Sequence, residues 1–233
     1  GATASSEPTP NPAITPTAPF LAYDCSAVTE SPQAHCQALV ALYLSTDGPS
    51  WSDNRGWLQN NTPCSWSGIN CSMATGAITH IMLPGNNLQG SIPAELGDIA
   101  GLNWLDLSDN RLVGHIPPQI ADGGLGQLVL RNNALTGPIP AELGEIGPAM
   151  LALDLANNRL NGELPSSLGE LSNLNVLLVN DNSLEGPLPA SLAQLSALFY
   201  FNFQNTRVCV PADPALKSWL DGLSRLEYSG FSC

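Results

Sequence analysis

The chain has 233 residues, 43% of them hydrophobic, with seven basic against twenty acidic residues and a formal net charge of −13. That length supports one large core or two small ones. The acidic balance argues against nucleic acid and against an anionic membrane surface, both of which need clustered Lys and Arg. No apolar run approaches the roughly 20 residues of a membrane-spanning helix; the best is CQALVALYL at 36–44, so no membrane insertion is expected.

The first twenty residues, GATASSEPTPNPAITPTAPF, contain five prolines and four threonines and almost no apolar mass. Such a segment cannot bury a core, and residues 1–22 are expected to be a disordered, partly extended tether. A helix should follow. Ser31 is a suitable N-cap, Pro32 suits the first turn, apolar residues run from Leu39 to Leu44, and Asp47-Gly48 stops it. The stretch WSDNRGWLQNNTPCSWSGINC, 51–71, then carries three tryptophans and a cysteine pair.

From residue 78 the chain repeats itself. IMLPGNNLQGSIP begins at 81, LDLSDNRLVGHIP at 105, LVLRNNALTGPIP at 128, LDLANNRLNGELP at 153 and LLVNDNSLEGPLP at 177. Asparagines fall at 86, 110, 133, 158 and 182, glycines at 90, 114, 137, 162 and 186, and prolines at 93, 117, 140, 165 and 189. A sixth unit, FNFQNTRVCVP from 201, keeps the strand pattern and has Thr206 in place of the asparagine. Alternating leucines such as Leu105 and Leu107 put two side chains on the inner face of a short strand. The asparagine can satisfy backbone groups that the following turn leaves unpaired. Glycine permits a backbone that costs other residues, and proline fixes the return segment. One coil cannot bury its own leucines, so the coils must stack and share a core. Downstream, Asp213-Pro214 opens a second helix with Leu216, Trp219, Leu220 and Leu223 on one side.

The pattern L-x-x-L-x-L-x-x-N-x-L-x-G-x-I-P resembles the leucine-rich repeat, and its G-x-I-P tail resembles the plant-type extracellular subclass. That subclass includes plant receptor-kinase ectodomains and polygalacturonase-inhibiting proteins, and similar arrays occur in secreted bacterial proteins. The resemblance covers 78–208 repeat by repeat, and 51–71 is similar to the family's N-terminal cap. It implies an α/β right-handed solenoid with a parallel β-sheet on its concave face and helical, disulfide-bonded caps. The expected organisation is a tether (1–22), an N-terminal cap (23–77), the repeat array with five full repeats and a degenerate sixth strand (78–208), and a C-terminal cap (209–233) sealing an otherwise open stack.

All six cysteines, at 25, 36, 64, 71, 209 and 233, lie outside the regular coils. An even count confined to the ends reads as disulfides in an oxidising, secreted or cell-surface compartment, and C-x₆-C without a flanking His or second pair is poor zinc spacing. Sequence proximity together with the family's cap favours Cys64 with Cys71, Cys209 with Cys233, and hence Cys25 with Cys36.

Nothing in the sequence points to catalysis or to a cofactor. No G-x-S-x-G, H-E-x-x-H or phosphate-cradling glycine loop occurs, and His35, His80 and His115 read as ordinary surface residues. Asp106, Asp109, Asp154 and Asp181 face one side, but without the tight loop that a calcium ion requires, so no metal is expected. The informative positions are strand residues facing away from the leucines. Before the first leucine these are His80, Trp104, Gln127, Ala152, Val176 and Tyr200; between the leucines, Met82, Asp106, Val129, Asp154, Leu178 and Asn202. The next column is Pro84, Ser108, Arg131, Ala156, Asn180 and Gln204. Asp106 and Asp154 stand close to the family's default text, whereas Met82, Val129 and Leu178, with Trp104, Val176 and Tyr200, put apolar and aromatic groups on a face that should be wet. Six strands of this kind offer on the order of 400 Å², about half of one side of a standard protein interface.

The expectation is therefore a non-catalytic extracellular module, a monomer, that binds a protein or peptide through Met82, Trp104, Asp106, Val129, Arg131, Asp154, Val176, Leu178 and Tyr200. The alternatives are a glycan or cell-wall polysaccharide ligand, and a structural or adhesive surface repeat.

Overall fold

The computed structural model describes residues 23–233, and the tether expected over 1–22 lies outside the described residues. The first strand of each coil takes its place in one sheet: Ile78–Met82, Trp104–Asp106, Gln127–Val129, Ala152–Asp154, Val176–Leu178 and Tyr200–Asn202 run parallel, in register. Alternation sorts their side chains. Ile81, Leu105, Leu128, Leu153, Leu177 and Phe201 are all fully buried, stacked in one line from coil to coil.

The sheet has eight strands rather than the expected six. Ile69–Cys71 joins antiparallel at the N-terminal end and Arg225–Glu227 joins parallel at the C-terminal end. Neither added strand carries the L-x-L-x-x-N text, so only tertiary packing recruits them.

Past each turn the chain forms a second strand, and Gln89–Ser91, Arg111–Gly114, Ala134–Gly137, Arg159–Gly162, Ser183–Pro187 and Arg207–Cys209 make a second, six-stranded parallel sheet. The repeat prolines then end these strands and stand immediately before short 3-10 helices, Ala94–Asp98, Pro118–Gly123, Ala141–Ala149, Ser166–Glu170 and Ala190–Gln194, which form the convex side. The longest of them accommodates the extra residue between Asn133 and Asn158 at Gly147, whose φ of 61° kinks the helix.

The asparagines bind the coils together as their chemistry requires. Asn110 Oδ1 accepts from Asn86 N–H and Leu88 N–H, both at 2.9 Å. Its Nδ2 donates to Leu83 O of the preceding coil and to Leu107 O and Ser108 O of its own, at 2.8 to 3.0 Å. Asn133, Asn158 and Asn182 make the same Nδ2 bonds, and each accepts one N–H at Oδ1, from Leu112, Leu135 and Leu160. Asn86 has no coil before it and instead bonds Asp53 N–H and Asp53 O, which ties the array to its N-terminal cap.

In that cap, helix α1 spans Gln33–Ser45 and buries Ala38, Leu39 and Leu42. Its Tyr43 packs ring on ring with Trp51 and Trp57, and Trp57 with Trp51 and Trp66, with centroids 4.8 to 6.0 Å apart. Two expectations fail here. Ser31 does not cap α1: Pro32 holds the cap position, and the Ser31 hydroxyl is buried without a hydrogen-bond partner. His35 is not on the surface: it is 3% exposed, and its Nδ1 accepts from Ile78 N–H at 3.3 Å. The helix starts one residue later than the Ser-Pro pair suggests, and α1 lies on the first coil with His35 at the contact.

At the other end helix α2, Pro214–Gly222, is capped by Asp213, whose carboxylate accepts from Ala215 and Leu216 N–H. Leu216 and Leu220 close the core. Disulfides join Cys25 to Cys36, Cys64 to Cys71 and Cys209 to Cys233. No helix among the described residues is long and apolar enough to cross a membrane.

Candidate functional site

The strand register brings the candidate residues into two columns on the concave side. His80, Trp104, Gln127, Ala152, Val176 and Tyr200 are lateral neighbours, and beside them run Met82, Asp106, Val129, Asp154, Leu178 and Asn202. At a strand spacing of about 4.8 Å each side chain shields the next, so Met82, Trp104, Val129, Val176 and Leu178 are half-buried rather than open.

The polar members of the second column share one local role. Asp106 Oδ1 accepts from the N–H and hydroxyl of Ser108, Asp154 Oδ1 from Ala156 N–H, and Asn202 Oδ1 from Gln204 N–H. Each carboxylate or amide thus caps the strand end two residues on. Met82, Val129 and Leu178 occupy the same position in the intervening coils and place an apolar group there.

A charged cluster occupies the middle of the face. Arg131, half exposed, lies 3.6 Å from Asp109 and 3.8 Å from Asp154. Asp154 is 7% exposed, and burial pushes its carboxyl above the usual range, against the opposing pull of Ala156 N–H and Arg131. The sequence puts Asp109 on the same side as Asp154 but gives no reason to count it among the binding residues, because it belongs to the turn. Asp109 shares a left-handed φ with Gly85, Asn132, Asn157, Asp181 and Asn205, between 52° and 60°. That backbone explains why the column holds only Gly, Asn and Asp. Their side chains also bond along the stack, Asn132 to Asp109 and Asn157 to Asn132, at 2.6 and 2.7 Å.

Tyr200 is held by the added C-terminal strand. The Arg225 guanidinium sits 4.0 Å over its ring, and its hydroxyl lies 3.3 Å from Glu227, which also accepts from Asn202 and Arg225. At the opposite end His80 and Trp104 approach with ring centroids 6.0 Å apart. The Trp104 indole N–H is shielded from solvent and has no hydrogen-bond partner. Among the described residues, no group of three or more His, Cys, Asp or Glu is placed to hold a metal ion.

Comparison with known proteins agrees with this geometry. The Leucine Rich Repeat family model matches residues 101–122 and 151–171. A chain of the BIR3–SERK2 complex from Arabidopsis thaliana is 31% identical, superposes with a TM-score of 0.64, and is matched over 83% of this chain and 98% of its own. The plant peptide hormone receptor RGFR1, solved in complex with RGF2, is 33% identical with a TM-score of 0.62, over 71% of this chain and 29% of its own. The leucine-rich repeat receptor-like kinase RGI4 of Arabidopsis thaliana is 37% identical over 126 residues, 43% of this chain and 11% of that kinase. The chain spans only a small part of the curated receptor kinases it matches, 6%, 11% and 9% of the length of three of them. The capped, disulfide-bonded stack and these likenesses together make the chain a member of the plant-type extracellular leucine-rich-repeat family, with an extracellular or cell-surface location.

Proposed function

We infer that the chain is a non-catalytic recognition module that binds a protein or peptide partner on its concave face. The observation that carries this reading is the second column. Where three coils use Asp106, Asp154 and Asn202 to cap their own strands, the intervening coils present Met82, Val129 and Leu178. Local structure does not require apolar groups there, and Trp104 and Val176 extend them into a strip suited to an apolar anchor. Arg131 and its acidic neighbours supply polar contacts beside the strip. The relative solved with the peptide hormone RGF2 supports a peptide ligand on this architecture. In this reading the array of 78–208 does the recognising, while residues 23–77 and 209–233 seal its ends.

The test compares wild type with a Trp104→Ala, Val129→Asp, Leu178→Asp variant as baits for extracellular material. Val129 stands between Asp106 and Asp154 in the sheet, so both baits must first show the same thermal unfolding, which separates lost binding from lost folding. A protein or peptide retained by wild type and lost from the variant supports the reading. Equal retention by both would move recognition off the concave face, and loss of retention to soluble oligosaccharides would reassign the ligand as a glycan.

A further inference from the structure

The concave sheet ends on the Arg225–Glu227 strand, whose second edge is unpaired among the described residues. Arg225 N–H donates to Phe199 O at 2.8 Å, and Glu227 O accepts from Phe203 N–H at 2.9 Å. Both residues therefore turn their backbone groups toward the Tyr200–Asn202 strand. Successive residues of a strand aim these groups to opposite sides, so the N–H and C=O of Leu226 face outward, a template for another strand.

This edge is complementary to itself. We propose that it pairs antiparallel with the same edge of a second copy, about a two-fold axis through Leu226. In that register the two Leu226 residues exchange N–H···O=C bonds. Arg225 stands opposite Glu227 of the partner subunit, and the contact occurs twice. Both charge pairs occupy the non-hydrogen-bonded position, where strands bring side chains closest, about 4.5 Å between Cα atoms, and where opposite charges are favourable.

Two further observations favour a second copy as the occupant. Residues 209–233 hold three of the twenty acidic and two of the seven basic residues, so two chains of charge −13 repel least at this end. The exposed aromatics Phe199, Tyr228 and Phe231 also gather here. Phe199 lies beside Ser224 in the sheet, one residue before the Tyr200–Arg225 pair. The antiparallel arrangement brings Tyr228 of the partner subunit to the other side of Ser224. Phe199 and Tyr228 share the face of the buried Phe201 and of Leu226, so each tyrosine covers the other chain's phenylalanine across a small serine. The contact falls in the small class, below about 1,200 Å², so the dimer is reversible. It replaces the monomer expected from sequence and does not depend on concave-face recognition.

Sedimentation velocity of the full chain at rising concentration tests this, with dimer expected to accumulate. Arg225→Glu and Glu227→Arg alone each place like charges opposite one another and should weaken association by about tenfold or more. An equimolar mixture of the two should restore it, because an all-acidic edge then faces an all-basic one. Phe199→Asp, at a residue 49% exposed, provides a second reading that leaves the strand charges intact and should also weaken the dimer. A wild type that stays monomeric to about 1 mM, a mixture no more associated than its components, or a Phe199→Asp variant that associates like wild type would overturn the proposal.

Discussion

Asn110 makes five hydrogen bonds from one side chain, each to backbone that is out of reach of water. Asn110→Ala orphans the N–H groups of Asn86 and Leu88 and the carbonyl of Leu83, while Leu107 O and Ser108 O keep bonds from Asn133 and Gly85; a buried unsatisfied group costs about 1–3 kcal/mol. A loss of roughly 3–5 kcal/mol is expected, read from urea unfolding. The Trp104 indole offers the opposite case. Its N–H is buried and unpaired, so Trp104→Phe, which removes the donor and keeps a ring, should leave stability within about 1 kcal/mol of wild type or raise it. His35 sets a pH limit. Burial holds its pKa below the ordinary value, so between the two values the unfolded chain is protonated and the folded chain is not. Its contribution is complete above about pH 6.5 and is lost as pH falls below it. Melting temperatures from pH 7.5 down to 5 should fall for wild type and fall less for His35→Gln. Asp53 behaves differently: hydrogen bonds from Arg55 and Ser67 hold its carboxyl well below the usual range. Its contribution is lost only as pH drops beneath about 4, so the two transitions separate.

At the scale of elements, the coils were legible because each repeats the same physical demand. Leu105, Leu107, Asn110, Gly114 and Pro117 recur with the same roles in every full coil, and the structure places each where its chemistry requires. The second series of glycines was not legible. Gly97, Gly144 and Gly169 sit in the convex 3-10 helices, where a Cβ would run into the backbone carbonyls of Gln119, Ser167 and Ser191 of the next coil. Their need for glycine comes from how closely coils stack, which no single coil reveals. Gly144→Ala should therefore cost about 2 kcal/mol or more, whereas Gly222→Ala, which meets nothing within reach, should be neutral in the same denaturation experiment. The capping error at α1 has a related cause: Ser31-Pro32 is a good local start signal, but packing of the helix against the first coil begins it at Gln33.

At the scale of the molecule, the stack is one continuous core running from the tryptophans of the N-terminal cap to Leu216 and Leu220 of α2. Its concave sheet is wider than its repeats by one strand at each end. That extra C-terminal strand holds Tyr200 through Arg225 and Glu227, so Tyr200 is less available to a ligand than Val129 or Leu178. A Tyr200→Ala variant should accordingly weaken partner capture less than the Trp104, Val129 and Leu178 changes do, a ranking that the same pull-down measures.

The sequence by itself determined the repeating coil, the line of buried leucines and the asparagine ladder, because each follows from local spacing and the bonding capacity of single side chains. It also determined which side chains share the concave face, since alternation along a strand leaves no choice. Tertiary structure alone decided the rest. Burial of His35, the close approach at Gly144, the gathering of Asp109 and Asp154 around Arg131, and the recruitment of Arg225–Glu227 as a final strand all depend on contacts between residues distant in the chain. Such contacts leave no periodic mark in the sequence, because each is made only once.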